Sequence, residues 1–167
     1  MYYSSFHKLV KINSCPILAP ELARATDIVK DIAEYLLNTG KTLNIQLTVS
    51  ETGLDCNVIG AGELDLSARM GLSDCASNYD LARLSVGDDV VLEHRAPIIT
   101  FGAGKVVLPP RSFLQATFAG EEILSNIVLE GVNGLNRIAD LYCGLGPFSM
   151  RMAAHSSVSS FDNDEMS

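Results

Sequence analysis

The sequence predicts a chain of mixed α and β structure in two stretches: an antiparallel α+β layer over residues 1–110, then the opening strand, helix and strand of a parallel α/β unit over residues 111–167. Three observations carry this reading. Helical spacing and strict alternation take turns as far as the Pro109-Pro110 pair. The stretch Asp140-Leu-Tyr-Cys143-Gly144-Leu-Gly146-Pro147-Phe148 reads as a buried strand running through a tight glycine turn into a helix that Pro147 opens. Val158-Ser-Ser-Phe161-Asp162 then reads as a second strand ending in an acid, and only 19 residues follow Phe148, so the second unit is expected to be unfinished.

Each element follows from its own pattern. From about Pro20 to Asn38, Leu22, Ala25, Val29, Ile32 and Leu36 fall on one helical stripe, with Pro20 and Gly40 as boundaries. Leu43, Ile45, Leu47 and Val49 alternate with Asn44, Gln46, Thr48 and Ser50. After Glu51-Thr52-Gly53 the alternation resumes at Leu54, Cys56 and Val58, which predicts a hairpin. A helix over Leu66–Tyr79 would place Ala68, Leu72, Cys75 and Tyr79 on one face. Short strands follow at Ala82–Val86, Val90–Glu93, Ile98–Phe101 and Val106–Leu108. A third helix, from about Ala116 to Glu130, carries Ile123, Ile127 and Val128 and closes at Asn133-Gly134.

Composition narrows the function classes. Twelve basic against twenty acidic residues give a formal charge of −8, the opposite of what a self-sufficient nucleic-acid binder shows; His7, Lys8 and Lys11 form the only small basic cluster. No apolar run reaches the ~18 residues of a membrane span, and the N-terminus lacks the pattern of a signal peptide. The four cysteines, Cys15, Cys56, Cys75 and Cys143, are widely spaced with no CxxC pair, which fits reduced thiols and a cytoplasmic protein.

The glycine turn carries the chemistry. Gly144 and Gly146 sit two apart where a ligand would have to approach the backbone, although a plain strand-to-helix turn could also use them. Asp162 lies 18 residues past Gly144, close to the spacing at which this kind of crevice binds ribose hydroxyls. A dinucleotide would want free N–H groups and a third glycine at the helix start. Pro147 removes one donor and Ser149 stands at the third-glycine position, so S-adenosylmethionine, an adenosine ligand without phosphate, fits better.

These residues resemble the S-adenosylmethionine-dependent RNA methyltransferases that make 5-methyluridine. DLYCGLGPFSMRMA is similar to that family's first cofactor motif, D-L-[YF]-C-G-[VIL]-G. Pro110-Arg-Ser-Phe113-Leu-Gln115-Ala-Thr117 resembles its PxxFxQxN stretch, and Cys15-Pro16-Ile-Leu18 its CP-[IV]-L element. The resemblance implies a central α+β domain followed by the first βαβ unit of a Rossmann-like class I methyltransferase fold. It implies cofactor contacts at Gln115, Tyr142, Gly144, Gly146 and Asp162, the last usually a glutamate in the family. It also implies rRNA or tRNA as substrate of the complete enzyme, in which a cysteine thiolate adds to uridine C6 and a base removes the C5 proton.

The departures from the family matter equally. Its catalytic cysteine, general-base glutamate and DPPR-type segment lie downstream of the first motif and have no counterpart here, and Cys143 belongs to the cofactor turn. No catalytic residue is therefore assigned. Cys15 matches the fourth ligand of the family's iron–sulfur cluster but lacks the other three cysteines, so neither a cluster nor any other metal is expected. The expectation is a piece of an RNA (uracil-5-)-methyltransferase that is inactive alone and binds RNA weakly or not at all. Its open sheet edge would favour self-association or a complementing fragment. A non-catalytic cofactor-binding or protein-interaction module is the alternative; a dinucleotide-binding fragment is disfavoured by Pro147 and Ser149.

Overall fold

The computed structural model describes residues 15–36 and 42–163, which pack as two units: one runs to Val49 and takes in Gly53–Arg95, the other holds Ser50–Thr52 and the chain from Ala96 onward. His7, Lys8, Lys11, Asn38 and Gly40 lie outside the described residues. The change of pattern expected near residue 110 and the division by packing near 95 differ by one hairpin.

In the first unit, a 3₁₀ turn at Pro20–Leu22 precedes helix α1, Ala25–Glu34, so the first predicted helix is two pieces. Strands β1 (Asn44–Ser50) and β2 (Gly53–Ile59) form the expected hairpin. Helix α2 (Leu66–Asn78) starts at Asp65, whose carboxylate accepts from Ala68 N at 2.7 Å. Strands β3 (Arg83–Val86) and β4 (Asp89–Glu93) complete a four-stranded sheet in the order β1-β2-β3-β4. Gly71 lets the helices meet: a Cβ there would lie 2.2 Å from the Tyr35 ring.

The expected antiparallel layer needs correction. β2 and β3 pair in parallel, with Asp55 beside Arg83 and Asn57 beside Ser85, while β3 and β4 are antiparallel. The physical reason is α2, since parallel neighbours need a crossover of a dozen or more residues and α2 with its flanking loops supplies it. Alternation reports which face a residue takes and is blind to strand direction.

The sheet has one apolar and one polar face. Cys56, Val58, Leu84 and Val86 join Ile28, Ile32, Leu36, Leu72 and Cys75 in the core. The alternate positions hold Asp55, Asn57, Arg83 and Ser85, all buried. Arg83 binds Asp55 in two-pronged fashion, Nε to Oδ1 at 2.9 Å and Nη2 to Oδ2 at 2.8 Å, and Asn57 donates to the same carboxylate at 2.9 Å. A one-residue slip of β3 would break the pair and turn its core residues outward, so the ion pair and the core fix the same register.

The second unit begins with the antiparallel hairpin β5 (Ile98–Phe101) and β6 (Gly104–Val107), whose Ile99 and Phe101 pack with Leu108, Leu145 and Met150. Helix α3 (Phe118–Gly131) is capped by Thr117, whose hydroxyl accepts from Gly120 N at 3.0 Å. Strand β7 (Arg137–Leu141), helix α4 (Pro147–Met152) and strand β8 (Ser157–Phe161) follow, β7 and β8 lying parallel in the register Ile138–Val158 and Asp140–Ser160. Two expectations fail here. β7 is half-buried rather than buried, because α4 covers the Ile138 and Asp140 side while Leu141 and Phe161 on the other face are exposed. In α3 the burial is inverted: Glu121 and Ser125 are buried and Ile123 and Ile127 are exposed, because a charged group on α4 takes the inner side. Among the described residues no helix is long and apolar enough to cross a membrane.

Two outcomes follow for the first unit. Asp55→Ala strands a buried guanidinium and should cost about 3–5 kcal/mol in urea unfolding, whereas Asp55→Leu with Arg83→Met should cost far less; equal losses would contradict the ion-pair account. The Cys56 thiol is pushed from its ordinary 9.0 up to about 12, chiefly by burial and then by the Asp55 charge and Cys75. A raised folded-state pKa leaves the thiol's contribution intact below pH 9 and removes it as pH climbs from 9 towards 12. Unfolding curves taken across that window should show stability falling in the native chain and a shallower fall in Cys56→Ala.

Candidate functional site

The site grows from the end of β7. Within five residues the chain takes three left-handed backbone conformations, at Tyr142 (φ 60°), Gly144 (φ 53°) and Gly146 (φ 76°). For the glycines this is free of side-chain conflict; for Tyr142 it carries on the order of 1–2 kcal/mol of strain. Gly146 caps α4, its N–H donating to the Cys143 carbonyl at 2.9 Å and its carbonyl accepting from Met150 N at 2.9 Å. Pro147 then takes the first helical position, where its missing N–H costs nothing.

Two polar devices fix this turn to the sheet. Asp162, just past β8, accepts from Gly144 N at 2.7 Å and so ties the ends of both parallel strands together. Beneath, Ser149 of α4 donates to the Asp140 carboxylate and accepts from the Ser160 hydroxyl at 2.8 Å. Ser149, which by sequence is only an absent third glycine, is buried and seats the helix by hydrogen bonding instead of by close backbone packing. The available signal was Asp140 and Ser160 at inward positions of the paired strands, with a hydroxyl facing them.

An open hollow of about 450 Å³ lies over the turn, lined by Gly144, Leu145, Gly146, Met150, Val158 and Asp162 among others. Its size suits a small organic ligand. A Cβ on Gly144 would meet no atom within 4 Å, so the space beside this glycine belongs to the hollow. Gly144, Gly146 and Asp162 are brought together as expected. Gln115 and Tyr142 are not: neither lines the hollow. Gln115 is exposed on the loop before the α3 cap, and Tyr142 is 81 % exposed where the left-handed turn leaves the sheet. Thr117, which stands at the asparagine of PxxFxQxN, acts as the cap of α3, a role both residue types perform well.

The hollow fits an adenosine-bearing cofactor in the chemistry of its groups. It offers a carboxylate at Asp162 for hydroxyl donors and the apolar Leu145, Met150 and Val158 for a flat ring, with the glycine backbone between. Cys143 lies in the same turn and also lines the hollow. Burial raises its thiol pKa, the charges of Asp140 and Asp162 raise it further, and its Sγ–H points to the Gly144 carbonyl at 3.6 Å. Of the other cysteines, Cys15 is half-buried and Cys56 and Cys75 are in the core, and among the described residues no three potential metal ligands converge.

Comparisons with known proteins bear on the whole chain. No protein-family model matches it. An RNA methyltransferase of Mesorhizobium japonicum is 35% identical over 157 residues, covering 94% of this chain and 38% of the relative, and one of Brucella melitensis is 34% identical over 95% of this chain and 38% of its own length. The 23S rRNA (uracil(1939)-C(5))-methyltransferase of Pectobacterium atrosepticum is 24% identical, over 90% of this chain and 34% of its own. The crystal structure of Pyrococcus abyssi tRNA (uracil-54, C5)-methyltransferase in complex with S-adenosyl-L-homocysteine superposes with a TM-score of 0.63 at 21% identity, over 98% of this chain and 46% of that one, which shows a shared mixed α/β fold. The chain spans a little over a third of the length of the curated relatives it matches, and those relatives are named RNA methyltransferases, one of them, at 24% identity, a 23S rRNA uracil-C5 enzyme.

Proposed function

We propose that these residues form the central domain and the cofactor-binding entrance of an S-adenosylmethionine-dependent RNA (uracil-5-)-methyltransferase of the cytoplasm. On this reading β7, α4 and β8 are the first βαβ unit of a Rossmann-like class I fold, with the domain change near residue 110. The carrying observation is the hydrogen bond from Gly144 N–H to the Asp162 carboxylate, set at the rim of an open hollow. It fixes an anionic acceptor at the rim, the group that takes hydrogen bonds from the ribose hydroxyls of an adenosine ligand.

When bound, S-adenosylmethionine supplies an electrophilic methyl group. The residues here bind and orient. Asp162 holds the ribose hydroxyls, Gly144 and Gly146 keep the floor free of side chains, and Leu145, Met150 and Val158 exclude water beside the ring. The resemblance adds Gln115 and Tyr142 to the cofactor contacts, although both are exposed and neither lines the hollow. Cys143 belongs to the cofactor turn, its thiol pKa raised by burial and by Asp140 and Asp162, and on this reading the nucleophile, the base and the recognition of RNA are not assigned to residues of this chain of formal charge −8.

Three measurements test the proposal. Calorimetry with S-adenosylhomocysteine should give micromolar or weaker binding, and Asp162→Asn should weaken it by about tenfold, the loss of a charge-assisted hydrogen bond. Undiminished affinity in that variant would remove the ribose assignment. A tritium-transfer assay on uridine-containing RNA should show no turnover by the 167-residue chain, and turnover that survives Cys143→Ala would require a nucleophile not identified above. Sizing chromatography should show association through the exposed Ile123, Ile127, Leu141 and Phe161, relieved by Ile123→Lys with Ile127→Lys.

A further inference from the structure

The buried charge on α3 has no place in the hollow, yet it reaches the turn that forms it. Glu121 is 7 % exposed, and its two carboxylate oxygens receive Nη1 and Nη2 of Arg151, each at 2.8 Å. Ser125, one helical turn on, donates to the same carboxylate at 2.6 Å. Arg151 sits in the last turn of α4, and its Nη1 also donates back to the carbonyl of Pro147 at 2.9 Å, the first residue after the glycine turn. The guanidinium lies 5.8 Å from the Phe101 ring centre, and its stem passes where a Cβ on Gly102 would come within 3.0 Å. Arg151 therefore spans α4 from end to start, held by α3 on one side and by the β5–β6 hairpin on the other.

We propose that Glu121 is a positioning residue for the glycine turn, acting through Arg151 on the Pro147 carbonyl. The proposal rests on the cofactor reading for its relevance, since neither Glu121 nor Arg151 lines the hollow and both reach a ligand only through α4, whose Ser149 and Met150 do. A six-residue helix offers little resistance of its own to tilting. Fixing its guanidinium at a buried carboxylate sets where Gly144 and Gly146 stand over the hollow. This also explains why α3 carries its charge inward and its isoleucines outward.

Hydrogen exchange in the ligand-free chain and titration with S-adenosylhomocysteine test it together. Glu121→Gln should speed exchange at the Gly146 and Met150 amides by on the order of tenfold, leave Leu84 and Val86 of the other unit unchanged, and weaken binding by a similar factor. In an Arg151→Met background the same substitution should add nothing further, the signature of action through Arg151. Should Glu121→Gln fail to fold, Ser125→Ala removes one hydrogen bond from the carboxylate and should give a smaller rise, about threefold, at the same two amides. Unchanged exchange at the turn, an effect that persists in full without Arg151, or faster exchange with undiminished affinity would each overturn the proposal. A native chain that does not bind S-adenosylhomocysteine would overturn the cofactor reading instead, and the exchange data would still decide whether Glu121 positions the turn.

Discussion

Helix α4 is six residues long, well below the length at which an isolated helix persists in water, and the turn that frames the hollow hangs from its N-terminus. Whatever that turn does therefore depends on contacts that hold α4 from outside. Three kinds are seen among the described residues. Ser149 ties it to the strands through hydroxyl groups, Arg151 ties it to α3 through a charge, and Met150 enters the apolar cluster with Ile99 and Phe101. The combination is directional: apolar packing alone would let so short a helix rotate, while two polar contacts on different neighbours fix its azimuth.

The first unit solves a comparable problem with the opposite economy of parts. Its four-stranded sheet rests α1 and α2 on one face, and hydrophobic burial accounts for that side. Its other face buries Asp55, Asn57, Arg83 and Ser85, with Asn57 Oδ1 and Ser85 Oγ lacking a protein partner among the described residues. A buried ion pair seldom adds net stability, but at matched positions of a parallel pair it penalises every other register. Parallel strands joined by a helix have no tight turn to set their alignment, so a side-chain device is the natural substitute.

What could be seen in the sequence follows from which physical constraint acts on residue type. Left-handed backbone at 144 and 146 favours glycine and a helix start after it welcomes Pro147, so both were legible because local conformation selects the residue, while Asp162 was legible from its spacing past Gly144. Alternation located β1, β2, β4 and β5 to within a residue or so for the same reason. The parallel pairing of β2 with β3 was missed, although the helix between them was recognised, because direction is set by the connection and not by the strand. The inward Glu121 and Ser125 were missed because the amphipathic rule assumes an apolar interior, and their partner Arg151 lies 30 residues away. Gln115 and Tyr142 came from resemblance alone, and the free geometry leaves both at the surface.

The hydrogen bond between Gly144 and Asp162 uses a main-chain donor, and the two glycines present main chain to the hollow. A turn written partly in backbone atoms stores that part of its information as a path through conformational space and only loosely as a list of side chains. Many sequences can trace one path, provided that the few positions with left-handed geometry and the groups that anchor the short helix are kept. Divergence in such a site is measured better by the torsion angles it preserves than by the letters it shares.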